Sequence, residues 1–318
     1  MEGEDADEVM HMVSLPQEHR KDIKSTIKCS EDKNEIFPNS QELTQDPNEL
    51  EVEIIPPTPT ESNKQMESKE LNIIDTDYSE ENILPRVNCT EKIIICLDLS
   101  SEMDKPIFRA RAGDKFSPLQ LIKRALSFFV QSKHKLDRDH QFALVLLHET
   151  ALWMLDFTND PKEITNWLDD LNNTFECEKF DVSSLYELIL KKIDLPHVEG
   201  DQTICPPPFT VRALMIYGRS HCAMEFTKLD DFKILDSSPY FFLDVFYIHE
   251  MPAEDNKCEE IYNSICDLDT KGQSYIFEAS KNPTKLYDYM AQLLAHPLQR
   301  PLQNDSTYRI QQGGTGED

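Results

Sequence analysis

The pattern of hydrophobic and polar positions changes near residue 85. From there on, apolar runs that suit buried strands alternate with amphipathic stretches that suit helices. The run KIIICLD at residues 92–98 is almost continuously apolar and β-branched, which is typical of a strand covered on both faces of a sheet. Further strands are predicted at residues 142–147, 151–155, 211–217, 240–248 and 274–277. The short connection at residues 148–150 predicts a hairpin between its flanking strands.

Four amphipathic helices are predicted between these strands. Ser117 and Pro118 provide an N-cap and a first-turn proline ahead of an apolar stripe. Asp160, Asp181 and Pro283 mark the starts of the other three helices. Strands that alternate with helices predict an α/β fold, a three-layer sandwich around a mostly parallel sheet.

Residues 1–84 lack this periodicity. They contain few aromatic residues and a proline cluster at residues 56–59. Their 22 acidic and 7 basic residues give a net charge of −15, which is more than half of the formal charge of −27. Such a segment cannot bury enough apolar surface to offset the entropy lost on ordering. We therefore predict a disordered acidic arm, whose charge favours a solubilising role over a partner-binding role.

Composition restricts the class of protein. A chain of 318 residues with 39% hydrophobic residues can form one sizeable core. No stretch approaches the roughly 20 apolar residues of a membrane span, and the N-terminus lacks a signal-peptide pattern, so we expect an intracellular protein without a membrane partner. The eight cysteines form no CxxC pair and are expected to be reduced. The acidic charge argues against direct binding of nucleic acid.

Asp98, Ser100 and Glu102 come directly after the first strand, where sheets of this type bind ligands. A buried strand that ends in Asp-x-Ser-x-Ser resembles the first metal-coordinating loop of the von Willebrand A fold, and the order of elements is similar to that fold from about residue 90 to residue 295. The resemblance implies a hard-cation site built from hydroxyls and carboxylates. In this chain, Glu102 stands where the family has its second serine.

The remaining ligands of that family come from two other loops, a threonine before a middle helix and an aspartate after the fourth strand. In this chain the first loop offers Asp181 and Ser183, which suit helix capping equally well, and the fourth strand is followed by Gly218 and Arg219. An arginine near the site would oppose a divalent ion. The three residues after the first strand are therefore predicted to be remnants of a lost metal site, without metal or cofactor, and residual metal binding is the alternative.

Five segments are similar to one family of von Willebrand A-like subunits, those of the BRISC and BRCA-A deubiquitinase complexes. They are residues 85–89, 95–100, 239–242, 268–272 and 293–301. The last segment, LLAHPLQRP, is the most specific because its residues are not typical of a core. The similarity extends over almost the whole folded part of the chain.

This resemblance implies a non-catalytic scaffold or adaptor that maintains the integrity of a ubiquitin-chain-cleaving complex. The implied direct partner is the BRE subunit and, through it, the deubiquitinase metalloprotease and its scaffold partner. The implied settings are DNA-damage signalling in the nucleus and deubiquitination in the cytoplasm. The alternative from a different class is a metal-dependent von Willebrand A ligand-binding module.

A tail, residues 296–318, follows the predicted von Willebrand A-like domain at residues 85–295. It begins with His296, Pro297, Leu298, Gln299, Arg300 and Pro301. The two prolines remove hydrogen-bond donors and bias the residues before them toward extended conformations, and extended Pro-x-x-Arg peptides bind grooves in partner proteins. These six residues are the predicted partner-binding site of an extended docking tail. The alternative is a proline that only ends a helix.

No coherent catalytic set is found in the sequence. His148 and Glu149 begin like an HExxH zinc motif, but Leu152 takes the position of the second histidine and the pair lies in a hairpin connection. The sequence contains no GxxxxGK or GxGxxG phosphate loop and no GxSxG nucleophile elbow. His221 and Cys222 are adjacent, and adjacent side chains seldom face each other. We therefore predict that the chain is not an enzyme, and a cryptic hydrolase is the least favoured class.

Overall fold

The computed structural model describes residues 86–306 except residues 110–112, 203 and 281. The predicted acidic arm at residues 1–84 and the end of the tail at residues 307–318 lie outside the described residues. The prediction that the arm is disordered therefore stays a prediction.

A six-stranded mixed sheet forms the centre of the domain. In chain order its strands are β1 (Thr90–Asp98), β2 (Gln141–Leu147), β3 (Ala151–Thr158), β4 (Phe209–Tyr217), β5 (Phe241–Ile248) and β6 (Ile276–Ala279). Across the sheet the order is β6-β5-β4-β1-β2-β3, and all neighbours are parallel except β3, which forms the predicted hairpin with β2. The strand order reverses between β1 and β4, so the carboxyl ends of these two strands form the switch point at which such sheets bind ligands.

The central strands are buried on both faces. In β1, the side chains of Ile93, Ile95 and Leu97 enter the core on one face, and those of Ile94 and Cys96 enter the core on the other. Successive side chains of a strand point to opposite faces. A strand with two covered faces therefore reads as a continuous apolar run, as residues 92–98 do.

Within the described residues, six α-helices cover the sheet: α1 (Pro118–Leu136), α2 (Pro161–Asp170), α3 (Val182–Lys192), α4 (Asp230–Ser237), α5 (Cys258–Cys266) and α6 (Pro283–Gln292). Helices α1, α2 and α6 contribute to the core on one face, and α3, α4 and α5 to that on the other, so the predicted three-layer sandwich is confirmed. Helix α1 begins at a capping box, in which Ser117 Oγ accepts the N–H of Gln120 at 3.3 Å and Gln120 Oε1 accepts the N–H of Ser117 at 3.2 Å. None of the described helices is both long and apolar enough to cross a bilayer.

The structure differs from the prediction in a few elements. Strand β6 begins two residues later than predicted, because the N–H of Ser274 donates to Asp269 and the N–H of Tyr275 donates to Asp244. Helices α4 and α5 were not predicted, because their N-cap residues, Leu229 and Lys257, make no capping hydrogen bond and give no start signal in the sequence. A two-residue strand, Phe180–Asp181, also pairs with Met224–Glu225 before α3 begins.

Candidate functional site

The Asp98 carboxylate at the end of β1 is fully buried and is held by its own loop. Its Oδ1 accepts the N–H of Ser100 at 2.9 Å, and its Oδ2 accepts the Ser100 hydroxyl at 3.1 Å. Oδ2 also accepts the N–H of Gly218, the residue after β4, at 2.9 Å. These bonds join the carboxyl ends of the two strands at the switch point.

The Arg219 guanidinium pairs with this carboxylate. Its Nη2 lies 3.0 Å from Asp98 Oδ1, and its Nε lies 3.2 Å from both carboxylate oxygens. The guanidinium also donates to the carbonyls of Lys179 and His148 and lies 5.4 Å from the ring centre of Phe180. Burial by itself lowers the pKa of a guanidinium, but the Asp98 carboxylate raises the pKa of Arg219 above its usual value. The two side chains therefore form a buried salt bridge in which the arginine is charged.

Glu102 connects the loop after β1 to the loop after β4. Its carboxylate accepts the N–H groups of Ser220 at 2.7 Å and His221 at 3.4 Å. The two loops also pack closely, since a Cβ on Gly218 would lie 1.9 Å from Sδ of the buried Met103. Any larger residue at position 218 would therefore require the buried Met103 side chain to move.

The residues at this place do not fit the divalent cation that the von Willebrand A resemblance implies. Both oxygens of Asp98 are engaged by the guanidinium and by backbone and hydroxyl donors. The Ser183 hydroxyl accepts the N–H groups of Thr227 and Lys228 at 3.0 Å, and Asp181 caps α3 by accepting the Ser183 N–H. A buried guanidinium would also repel a metal ion. The Arg219 guanidinium thus neutralises the Asp98 carboxylate in place of a metal ion.

A separate group of possible metal ligands lies beside these loops. Glu102, His221 and Glu250 each offer one ligand atom, and these atoms lie within 4.8 Å of one another. However, the Glu250 carboxylate is paired with Lys105 Nζ at 3.1 Å, and the Glu102 carboxylate accepts two backbone N–H groups. We assign no metal to this group.

The residues of the rejected enzyme motifs lie in separate surroundings. The His148 ring lies in the β2–β3 connection, where its centre is 5.3 Å from that of Phe175. His221 is exposed, whereas Cys222 is buried and its Sγ lies 3.4 Å from Nη1 of Arg219. The two adjacent side chains therefore do not share one site.

The six predicted partner-binding residues form a turn. The N–H groups of Gln299 and Arg300 donate to the carbonyl of His296 at 2.9 and 3.0 Å. Four of the six are buried against the domain and two are exposed: His296, Pro297, Leu298 and Arg300 are buried, and Gln299 and Pro301 are exposed. The predicted extended conformation is wrong, because Arg300 turns back to a buried carboxylate. Partner binding by these residues stays a prediction.

Arg300 belongs to a buried ion network whose other members come from β1, β4, β5 and α1. Its two Nη atoms lie 2.8 and 2.6 Å from the oxygens of Asp244. The Asp244 carboxylate also accepts from Arg212 Nε at 2.6 Å, and Arg212 Nη1 lies 3.3 Å from Glu91. Glu91 pairs in turn with Lys133. Each buried charge thus has at least one partner of opposite sign, which offsets the cost of removing it from water.

The network shifts the ionisation of its members. Burial would raise the pKa of Asp244, but Arg300 and Arg212 lower it to about 2. Burial lowers the pKa of His296 to about 4, although the Glu91 carboxylate acts in the opposite direction. His296 is therefore neutral at neutral pH. Its Nδ1 accepts the N–H of Leu298 at 3.2 Å, which leaves Nε2 to donate to the carbonyl of Cys89 at 3.1 Å.

Sequence reasoning missed this network, although a signal for it was present. Arg212 and Asp244 each interrupt a strand that is otherwise apolar. A charge in a strand buried on both faces needs a partner of opposite sign. That signal predicts buried ion pairs but does not say which residues pair.

The strand order and the pair at its switch point define the class of protein. It is an α/β domain of the von Willebrand A type, in which a buried arginine pairs with the carboxylate that ends the first strand.

Comparison with curated proteins identifies the family. The chain is 45% identical over 231 residues to "BRISC and BRCA1-A complex member 1" of Danio rerio, a match that covers 71% of this chain and 62% of that protein. It is 42% identical over 231 residues to the Homo sapiens protein of the same name, with 71% and 70% covered. The chain therefore belongs to the BRISC and BRCA1-A complex member 1 family, although it spans less than two thirds of the zebrafish relative. No family model matches it.

Solved structures with a similar fold include two von Willebrand A domains. The SpRpn10 VWA domain is 14% identical, with a TM-score of 0.41 and coverage of 67% of this chain and 98% of that chain. A von Willebrand factor type A protein from Catenulispora acidiphila is 15% identical, with a TM-score of 0.44 and coverage of 66% and 43%.

Proposed function

We propose that this protein is a non-catalytic scaffold subunit that maintains the integrity of a ubiquitin-chain-cleaving complex by binding a BRE subunit. Through BRE it would be connected to the deubiquitinase metalloprotease and to the scaffold partner of that enzyme. The observation that carries the proposal is membership of a family named for two complexes, shown by a match over 231 residues. The Asp98–Arg219 pair supports it, because a carboxylate that is neutralised internally is a poor metal ligand.

The proposal includes action in the cytoplasm and in the nucleus, with roles in deubiquitination and in the response to DNA damage. Contact with DNA would be indirect in this proposal. The formal charge of −27 disfavours a broad phosphate-binding surface, which needs clustered lysine and arginine.

The proposed contact with BRE is the turn that begins the tail, together with the residue after it. Gln299, Pro301 and Leu302 are exposed there, and the Leu302 side chain is an exposed apolar group next to the turn. The buried members of the turn fix its position, since Arg300 is bonded to Asp244 through two nitrogens. A turn held in one conformation loses little entropy when a partner binds to its exposed side.

A binding titration of the full chain against the BRE subunit tests this proposal. The triple variant Gln299→Ala, Pro301→Ala, Leu302→Ser is expected to weaken association by about 2 kcal/mol, which is roughly thirtyfold, and to leave the circular dichroism spectrum unchanged. The variant Phe128→Ser on α1 provides a matched control, since it replaces an exposed apolar side chain outside the tail.

Two results would count against the proposal. If the wild-type chain does not bind BRE, the scaffold role is lost. If wild type binds and the triple variant binds equally well, the partner surface lies elsewhere on the domain.

A further inference from the structure

A basic stretch interrupts the acidic character of the chain. Residues 105–138 contain nine basic and two acidic residues, a net charge of +7 in a chain whose formal charge is −27. Helix α1, which makes up more than half of this stretch, has no acidic residue along its 19 positions. A local charge opposite to that of the whole protein attracts ligands that the rest of the surface repels. The surface formed by this stretch therefore favours an acidic ligand.

The outer face of α1 carries an exposed aromatic ring. Exposed side chains follow one stripe of this helix at spacings of three and four residues: Gln120, Arg124, Phe128, Gln131 and Lys135. Phe128 is 66% exposed, whereas the next residue, Phe129, is buried in the core. The solvent face of such a helix is normally polar. An exposed aromatic ring within a polar and basic stripe is typical of an anchor for a partner.

A groove with apolar surface lies beside this stripe. It has a volume of about 550 Å³, is lined by α1 and by the loop after α2, and includes the side chains of Phe116, Leu119 and Phe128. Lys123 connects the two sides, because its Nζ donates to the carbonyl of Leu171 at 2.8 Å. The loop is thus held against the helix before any ligand binds, which lowers the entropy cost of binding.

Cationic side chains lie along the groove. Arg124 lines it and is exposed, and within the described residues its guanidinium has no ion-pair partner. Two short strands, Phe108–Arg109 and Lys115–Phe116, pair just before α1, and Arg109 and Lys115 are exposed there. Because Phe116 lines the groove, these two cations lie close to that part of it.

Two carboxylates make the groove unsuitable for a continuous polyanion. Asp104 and Asp169 line it together with Lys123 and Arg124. Nucleic acid carries a phosphate at every nucleotide and needs clustered cations. A peptide can place an apolar side chain beside the carboxylates and its own acidic side chains beside the cations. The mixed lining therefore favours a peptide that has both acidic and apolar residues.

We propose that the groove beside α1 binds an acidic peptide segment of a partner protein. The Phe128 ring packs against an apolar side chain of the peptide, and the Arg124 guanidinium pairs with one of its carboxylates. The residues that carry this proposal differ from those proposed to contact BRE, so the two surfaces can be tested separately.

Fluorescence anisotropy with the full chain tests this proposal. The probe is a fluorescein-labelled, glutamate-rich decapeptide with leucine at its fourth and seventh positions, and its neutral counterpart has glutamine in place of each glutamate. We expect the acidic probe to bind at least about tenfold more tightly than the neutral one, with a difference that decreases as salt is added. Arg124→Glu and Phe128→Ser are each expected to weaken binding of the acidic probe by about tenfold or more.

Lys228→Glu is the matched control. It makes the same change of charge as Arg124→Glu, at an exposed lysine just before α4, a helix on the other face of the sheet. It is expected to bind the acidic probe nearly as tightly as wild type, because screening by salt limits the range of a surface charge. Circular dichroism checks that each variant is folded.

Four results would overturn the proposal. The first is no binding of the acidic probe to wild type, and the second is equal binding to wild type and Arg124→Glu. The third is tighter binding of a single-stranded oligonucleotide than of the probe, lost in Arg124→Glu, which would identify a nucleic-acid site instead. The fourth is loss of probe binding in the triple variant of the tail, which would place the probe at the turn proposed to contact BRE.

Discussion

At the scale of single residues, Arg219 determines what the carboxyl end of the sheet can do. Its guanidinium is fully buried and donates to Asp98 and to three backbone carbonyls, so it fills the space beside the carboxylate with a fixed positive charge. A buried salt bridge contributes little net stability compared with apolar residues, but the loss of one partner leaves the other charge uncompensated. The geometry of the loops after β1 and β4 therefore depends on both Asp98 and Arg219.

Replacement of Arg219 by alanine is expected to destabilise the domain by about 3–5 kcal/mol, because the Asp98 carboxylate would be left buried without a counter-charge. Urea denaturation of the two chains measures the difference. The matched control is Lys105→Ala, which removes the partner of the partly exposed Glu250 carboxylate and is expected to change stability by about 1 kcal/mol or less. Equal small effects of both substitutions would contradict the role given to Arg219.

Thermal denaturation in the presence of magnesium tests whether the metal site at Asp98 has been lost. Millimolar magnesium is expected to leave the melting temperature of the wild-type chain unchanged, since a ligand raises it only by binding the native state. A magnesium-dependent rise in the melting temperature that Asp98→Ala abolishes would instead support a metal-dependent ligand-binding module.

At the scale of elements, the turn at residues 296–301 replaces the extended peptide that the sequence predicts. Two prolines and an arginine in an otherwise irregular segment suit both conformations. The turn is the conformation stabilised by Asp244 in β5, whose buried carboxylate accepts hydrogen bonds from both Nη atoms of Arg300. The position of the turn therefore depends on a strand more than fifty residues earlier in the chain.

The turn is expected to be sensitive to pH through His296. The pKa of His296 is lowered from 6.5 to about 4, so the unfolded chain binds a proton in this range that the folded chain does not. Stability is then complete above about pH 6.5 and decreases as the pH falls toward 4, by up to about 3 kcal/mol. The charged groups that face the imidazole are Glu91, Lys133 and Arg212.

Denaturation curves between pH 7 and pH 4 measure this effect. The control is His296→Gln, which keeps a donor for the Cys89 carbonyl but does not titrate, so the difference between the two chains isolates His296 from the carboxylates. Parallel stability curves of wild type and variant over this range would contradict the prediction.

At the scale of the whole molecule, the domain and the acidic segment before it are expected to behave independently. The core is built from the strands and helices between residues 90 and 293, on both faces of one sheet. Residues 1–84 have neither the apolar periodicity nor the composition to add to such a core.

Deletion of residues 1–84 is therefore expected to leave the melting temperature and the cooperativity of the domain unchanged. Calorimetry of the full and shortened chains measures both. A fall of more than about 4 °C, which corresponds to about 1 kcal/mol in a domain of this size, would mean that the segment contributes to the folded core.

The sequence by itself determined the elements whose signals are local. The continuous apolar run of β1 and the capping residues of α1 predicted their positions, because burial on two faces and helix capping act within a few neighbouring residues. The tertiary structure alone decided how the charges pair. Arg219 meets Asp98 and Arg300 meets Asp244 across 121 and 56 residues, and such contacts depend on which strands become neighbours. A sequence pattern predicts that a buried charge needs a partner, and only the fold selects it.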